Sequence, residues 1–71
     1  MKVEQKQAMT VEAADRFIRR REVEHLSGLG RVTIWRKEKE GTFPRRRKIG
    51  AQAVAWSLKE VQAWIATQQA A

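Results

Sequence analysis

All four glycines and the single proline of this chain fall between residues 28 and 50, and their spacing cuts the middle of the sequence into short pieces. The piece from Arg21 to Ser27 places Val23 and Leu26 on one helical face, and Gly28 follows as a stop, because glycine enters the left-handed conformation that ends a helix. After only Gly28-Leu29-Gly30 a second helical segment runs from Arg31 to Glu40, with Gly30 as a tolerable N-cap. Gly41 ends it, and Pro44 obstructs any continuation. Two short helices joined by a three-residue, glycine-containing turn have the layout of a helix-turn-helix.

Pro44 to Ile49 and Val54-Ala55-Trp56 then read as two short strands around the connection Gly50 to Ala53. Val54 and Trp56 alternate to one face. If Ile49 shares that face, Arg46 and Lys48 point outward and Arg47 inward, where it must snorkel along the core edge. A basic hairpin placed directly after a helix-turn-helix is a wing. The final element opens on Ser57 and Glu60, a Ser-x-x-Glu capping box in which each side chain satisfies a backbone N–H. Leu58, Val61, Trp64 and Ile65 form its apolar stripe, predicted to close the core against Val54, Trp56, Phe43 and the first helix. Upstream, Thr10 as N-cap with Ala13, Ala14, Phe17 and Ile18 at helical spacing fits a short helix, although Ile18 equally fits an extended lead-in. The expected fold class is mainly α with a small two-stranded β hairpin, a winged helix-turn-helix over residues 16–66. Residues 1–15 form an N-terminal tail, possible helix included, and residues 67–71 a frayed C-terminal tail.

Composition narrows what such a domain can do. With 71 residues, and with ten alanines among its hydrophobic residues, the chain can build one thin core and no enclosed substrate pocket. It has no cysteine and one histidine, His25, which is best read as structural. An enzyme, a cofactor and a metal site are therefore not expected.

The charge has a direction. Residues 16–48 carry twelve basic side chains against four acids, so this stretch has a net charge of +8 while the whole chain has +7. Double-stranded DNA is the partner such a patch suits, because neutralising phosphates releases condensed counterions. The plainer alternative is a solubilising surface. Apolar runs are no longer than four residues, as in Ala53 to Trp56, and no signal-peptide layout opens the chain. A cytoplasmic protein that joins the nucleoid when bound to DNA, with no membrane partner, is expected.

Past Ile34 and Trp35 the second helix has almost nothing apolar, and its outward faces carry Arg31, Thr33, Arg36, Lys37 and Lys39. That composition suits a helix lying in a groove. The candidate DNA-binding residues are accordingly Arg31, Thr33, Trp35, Arg36 and Lys37 on the second helix, and Arg45, Arg46, Arg47 and Lys48 on the wing. Arg20 and Arg21, beside the first helix, are candidates for the DNA backbone. Trp56 and Trp64 fall on inner faces and read as core, whereas Trp35 suits packing or a phosphate contact through its indole N–H equally well. Glu38 and Glu40 are expected to pair with neighbouring bases along the helix and to limit its approach to phosphates.

These residues resemble a known family. The run from Arg21-Glu22-Val23-Glu24-His25-Leu26-Ser27 through Gly28-Leu29-Gly30 to Arg31-Val32-Thr33-Ile34-Trp35-Arg36 is one part of the match. Gly41-Thr42-Phe43-Pro44, Ile49-Gly50-Ala51, Trp56 and Glu60-Val61-Gln62-Ala63-Trp64-Ile65 complete it. Together they are similar to the AlpA family of small prophage-encoded regulators, related to excisionases and to MerR-type winged helix-turn-helix proteins, over roughly residues 18–66.

The resemblance implies a DNA-binding protein acting at phage or integrated-element sites, where such proteins activate integrase transcription or direct excision. It implies that the second helix enters the major groove, with Arg31 and Thr33 facing bases and Trp35 and Arg36 holding the backbone. This chain departs from the family's usual Ser, Ser and Tyr at Gly30, Val32 and Trp35. It has Lys37 and Arg47 where apolar residues are common. Homodimers or cooperative arrays on repeated sites, and an integrase as a second partner, fit the same reading. An excisionase-type architectural factor and a basic protein-interaction adaptor are the alternatives, with a terminase-like packaging role behind them.

Overall fold

The computed structural model describes residues 15–68. The chain enters as a two-residue strand β1 (Phe17–Ile18), followed by helix α1 (Arg20–Ser27) and helix α2 (Arg31–Glu40). A hairpin of β2 (Arg47–Gly50) and β3 (Ala53–Ser57) leads directly into α3 (Leu58–Ala66). The sheet has three strands in the order β1-β3-β2, with both pairings antiparallel. The hairpin is thus joined by a third strand: Ile18 is extended and pairs with Trp56, which settles the choice left open by its sequence context. The segment of the expected N-terminal helix from Thr10 to Ala14 lies outside the described residues.

Both helix stops work as their glycines predict. Gly28 sits at φ 77° and donates its N–H to Glu24 O at 2.8 Å. Gly41 sits at φ 80°, with Gly41 N–H to Glu38 O at 3.1 Å and Thr42 N–H to Lys37 O at 2.9 Å. That pair of bonds is a Schellman closure, which satisfies the last carbonyls of α2 before the chain turns toward Phe43.

The core is Ile18, Val23, Ile34, Phe43, Trp56 and Val61, one side chain each from β1, α1, α2, the loop after α2, β3 and α3, with Leu29, Leu58 and Trp64 packed at its edge. Trp64 packs edge-on against Phe43 at 4.8 Å between ring centroids, and its Nε1–H donates to Thr42 O at 2.7 Å. The loop after α2 is thereby fastened to α3, as the apolar stripe predicts. Ile65, the last residue of that stripe, stays exposed.

Two local expectations are corrected. The capping box is half made: Ser57 Oγ accepts the Glu60 N–H at 3.1 Å, but the Glu60 carboxylate turns to Arg47 instead of returning to the backbone. Asp15 does the remaining capping. Its Oδ1 accepts the Lys59 N–H at 2.9 Å and its Oδ2 accepts the Ser57 hydroxyl, so two side chains close the start of α3.

The second correction concerns the wing. Ile49 is exposed, and the register pairs Lys48 with Val54 and Arg47 with Ala55. Arg46 and Lys48 therefore share the face of Val54 and Trp56, the reverse of the phase anchored on Ile49. Arg47 lies on the Ala55 face and does not snorkel along the core, because the Glu60 carboxylate on α3 holds it at the surface.

Candidate nucleic-acid interface

Helix α2 is fixed from below by two positions one turn apart. Ile34 is buried in the core, and Glu38, on the same face at i+4, is only 7% exposed. Its carboxylate is fully engaged: Oε2 accepts the buried indole N–H of Trp56 at 2.7 Å, and Oε1 accepts Arg46 Nε–H at 2.8 Å. The Arg46 guanidinium also lies over the Trp56 ring, 5.1 Å from its centroid. One carboxylate thus ties α2, the wing and the centre of the sheet together. A buried charge is tolerated here because it is both paired and hydrogen-bonded. The expected pairing of Glu38 along its own helix is corrected: it faces inward and leaves the outer surface of α2 to other groups. Glu40 does pair as expected, with Arg36 at 3.9 Å.

At about 100° per residue, the arc of α2 away from Ile34 and Glu38 carries Val32, Trp35, Arg36, Lys39 and Glu40, while Arg31, exposed on the first turn, lies between that arc and the buried face on the Trp35 side. Trp35 is 51% exposed, with Lys39 Nζ 4.8 Å from its ring centroid. Arg31 and Trp35 share one open hollow with Arg20 from α1 and Arg46 from the wing. The surface continues on either side. Arg45 and Arg46 meet Trp35 and Lys39 around a second hollow, and Arg19, Arg20 and Arg21 meet Arg46 and Val54 around a third. Arg20, Arg21, Arg31, Trp35, Arg45 and Arg46 are therefore brought together around one concave, basic surface between the start of α1, α2 and the wing.

The other candidates lie elsewhere. Thr33 and Lys37 are half-buried on the flank of α2 away from Arg31 and Trp35. Arg36 stands on the outward arc beyond Val32. Lys48 is exposed farther along β2, and Arg47 is turned to the α3 side of the hairpin, in a hollow with Phe43, Pro44 and Glu60.

Pairing sorts the cations further. Among the described residues, Arg16, Arg20, Arg36, Arg46 and Arg47 each have a carboxylate partner. Arg19, Arg21, Arg31, Lys37, Lys39, Arg45 and Lys48 form no salt bridge among those residues. The charge excess read from the sequence is carried by these unpaired groups. Sequence reasoning passed over Val32, Arg19 and the role of Glu38; the i, i+4 relation of Glu38 to Ile34 was the available signal for the last. Among the described residues no cluster of three or more metal-ligating side chains occurs, and no helix is long and apolar enough to cross a membrane.

Comparison with known proteins agrees with the resemblance carried by the motifs. The family model of the prophage CP4-57 regulatory protein (AlpA) matches residues 16–69. An uncharacterized protein of Enterobacteria phage P4, ORF88, is 46% identical over 52 residues, which cover 73% of this chain. The matched stretch spans 59% of the length of that phage protein. With a family match running from the first strand past the end of α3, the chain belongs to the AlpA family of phage regulatory proteins.

Proposed function

We propose that this protein is a sequence-specific duplex-DNA-binding regulator of a phage or prophage element, controlling integrase expression or excision. The observation that carries the reading is the convergence of Arg20, Arg31, Trp35 and Arg46, from three separate elements, on one hollow beside the outward face of α2. On this reading α2 enters the major groove, where a bidentate Arg31 contact to guanine is worth about 1–3 kcal/mol of discrimination. Arg45, Arg46 and Lys48 on the wing, with Arg19 to Arg21 at the start of α1, meet flanking phosphates. The first turn of α2 supports this orientation, because Gly30 provides no side-chain cap and the amide donors there remain open to an anion. Thr33 and Lys37 take peripheral places at the groove wall. Arg46, held by Glu38, and Arg47, held by Glu60, contribute least of the wing cations.

Selection of binding sites from random duplex DNA, followed by a salt titration, tests the proposal. About four to six neutralised phosphates correspond to a slope of log K against log salt between about −3.5 and −5.5. Arg31→Ala is expected to relax the selected sequence at one position while leaving affinity for random duplex within about twofold. Failure to enrich any sequence, with affinity that hardly changes between low and moderate salt, overturns the reading and favours an acidic protein partner. A domain of this size covers a short half-site, so cooperative binding to repeated sites belongs to the proposal and is read by ultracentrifugation on a long duplex. An excision assay with the integrase of the same element separates promoter control from a direct part in excision, since both use this surface.

A further inference from the structure

On the same reading of α2 as the groove-entering helix, we propose that Val32 is a specificity-determining residue that reads the 5-methyl group of a thymine, with Trp35 forming the other wall of the contact. Val32 is 64% exposed on the first turn of α2. Its place there has little structural return. A β-branched side chain lowers helix propensity, and one this exposed recovers little by burial. A lone exposed valine is ordinary on a protein surface. Here, however, Trp35 stands one turn away at i+3, also exposed, and both side chains border the hollow that holds Arg20, Arg31 and Arg46. An apolar pair is thus set among cations on the face where charge alone would give the greater attraction to phosphate.

The chemistry of the pair selects its target. The Val32 isopropyl group has no donor or acceptor, so it can engage neither a phosphate oxygen nor a polar base edge. In the major groove the apolar group that unmodified bases present is the thymine C5-methyl. The first turn of a recognition helix is also the part that reaches base edges. Lys39 over the Trp35 ring and Arg31 next to Val32 can hold the neighbouring phosphates or a guanine, which keeps the apolar pair against the floor of the groove. A cytosine methylated at C5 presents the same group, and the test includes it.

The experiment uses the full chain and the duplex obtained by site selection, with each thymine replaced in turn by deoxyuridine, which removes the methyl and keeps the base pairing. At one thymine the wild-type protein is expected to lose about fourfold in affinity, the worth of one buried methyl. Val32→Ser is expected to lose a similar factor on the thymine duplex and to show no further loss on the deoxyuridine duplex, so that the two changes are not additive. Replacing that thymine–adenine pair by 5-methylcytosine–guanine is expected to recover more affinity than cytosine–guanine does. Thermal unfolding of Val32→Ser within a few degrees of wild type confirms that the readout is contact and not folding. Equal wild-type affinity for thymine and deoxyuridine at every position, or an unchanged deoxyuridine penalty in Val32→Ser, overturns the inference while leaving salt-dependent sequence-specific binding intact. Absence of any selected, salt-dependent site overturns the functional reading itself, and the methyl contact with it.

Discussion

Helices α2 and α3 are nearly the same length and each carries a tryptophan, yet they use their side chains in opposite ways. The start of α3 is closed twice, by Ser57 Oγ on the Glu60 N–H and by Asp15 on the Lys59 N–H. The start of α2 has Gly30 and no side-chain cap. Trp64 on α3 packs against Phe43 and gives its N–H to Thr42, whereas Trp35 on α2 stands half in solvent beside Lys39. Glu60 neutralises Arg47, while Glu38 turns away from the surface and leaves Arg31 and Lys39 without an acid among the described residues. α3 has its cap, its tryptophan and its acid engaged within the molecule. α2 has only Ile34 and Glu38 buried and leaves Arg31, Val32, Trp35 and Lys39 exposed.

The sharpest way to break that contrast is to remove the two tryptophans separately. Trp64→Ala deletes a ring at the core edge together with the Thr42 bond, and is expected to cost about 2–4 kcal/mol, a large share of what a domain this small has. Trp35→Ala is expected to change stability by no more than about 0.5 kcal/mol while weakening duplex binding. Chemical denaturation followed by circular dichroism and a binding titration read both. A comparable loss of stability in the two variants would erase the distinction between the helices.

Glu38→Ala comes next in size. It leaves the buried Trp56 N–H without its acceptor and frees Arg46, at an expected cost of about 2–3 kcal/mol by denaturation. Unchanged stability would mean that the carboxylate does not hold helix and wing together.

The wing has its own contrast, between a cation with no acid partner among the described residues and a tethered one. Lys48→Ala is expected to reduce the salt slope by about 0.9, whereas Arg47→Ala reduces it by less, because Arg47 must first give up Glu60 to meet a phosphate. Equal slopes for the two variants would show that the ion pair does not bias the wing.

Asp15 carries the smallest effect. The Ser57 hydroxyl, first, and then the Lys59 N–H hold its carboxyl below the ordinary value. A depressed folded pKa adds stability that is present above about pH 4, the unfolded value, and is lost as pH falls through the lower folded value. Thermal melts of Asp15→Asn should therefore be flatter than wild type below about pH 4 and parallel to it near neutrality. Identical acid limbs would show that the cap contributes no linkage.

The parts of this protein that were legible in its sequence are those governed by neighbours in the chain. The turn Gly28-Leu29-Gly30, the stop at Gly41, the bounds of α2 and the cap at Ser57 all rest on contacts within five residues, and glycine, proline and serine announce them. The candidate surface was legible as a region, since Arg31, Arg45 and Arg46 stand on adjoining elements. What went unread were relations between distant residues. Asp15 lies 44 residues from Lys59, and Glu38 lies 18 from Trp56, so no spacing in the chain points from one to the other. The phase of the wing failed for the same reason: with alternating sides and a bulge between Lys48 and Gly50, the register against β3 chooses the face, and Ile49 was a false anchor.

Sequence alone determined a small, thin-cored domain with its excess charge between residues 16 and 48, divided into two short helices, a hairpin and a closing helix. Those properties follow from composition and local backbone chemistry. Tertiary structure decided which of the cations are spoken for. A lysine or arginine looks the same in sequence whether or not a carboxylate waits for it across the fold, and only packing brought Glu38 to Arg46 and Glu60 to Arg47 while leaving Arg31, Lys39, Arg45 and Lys48 without an acid among the described residues.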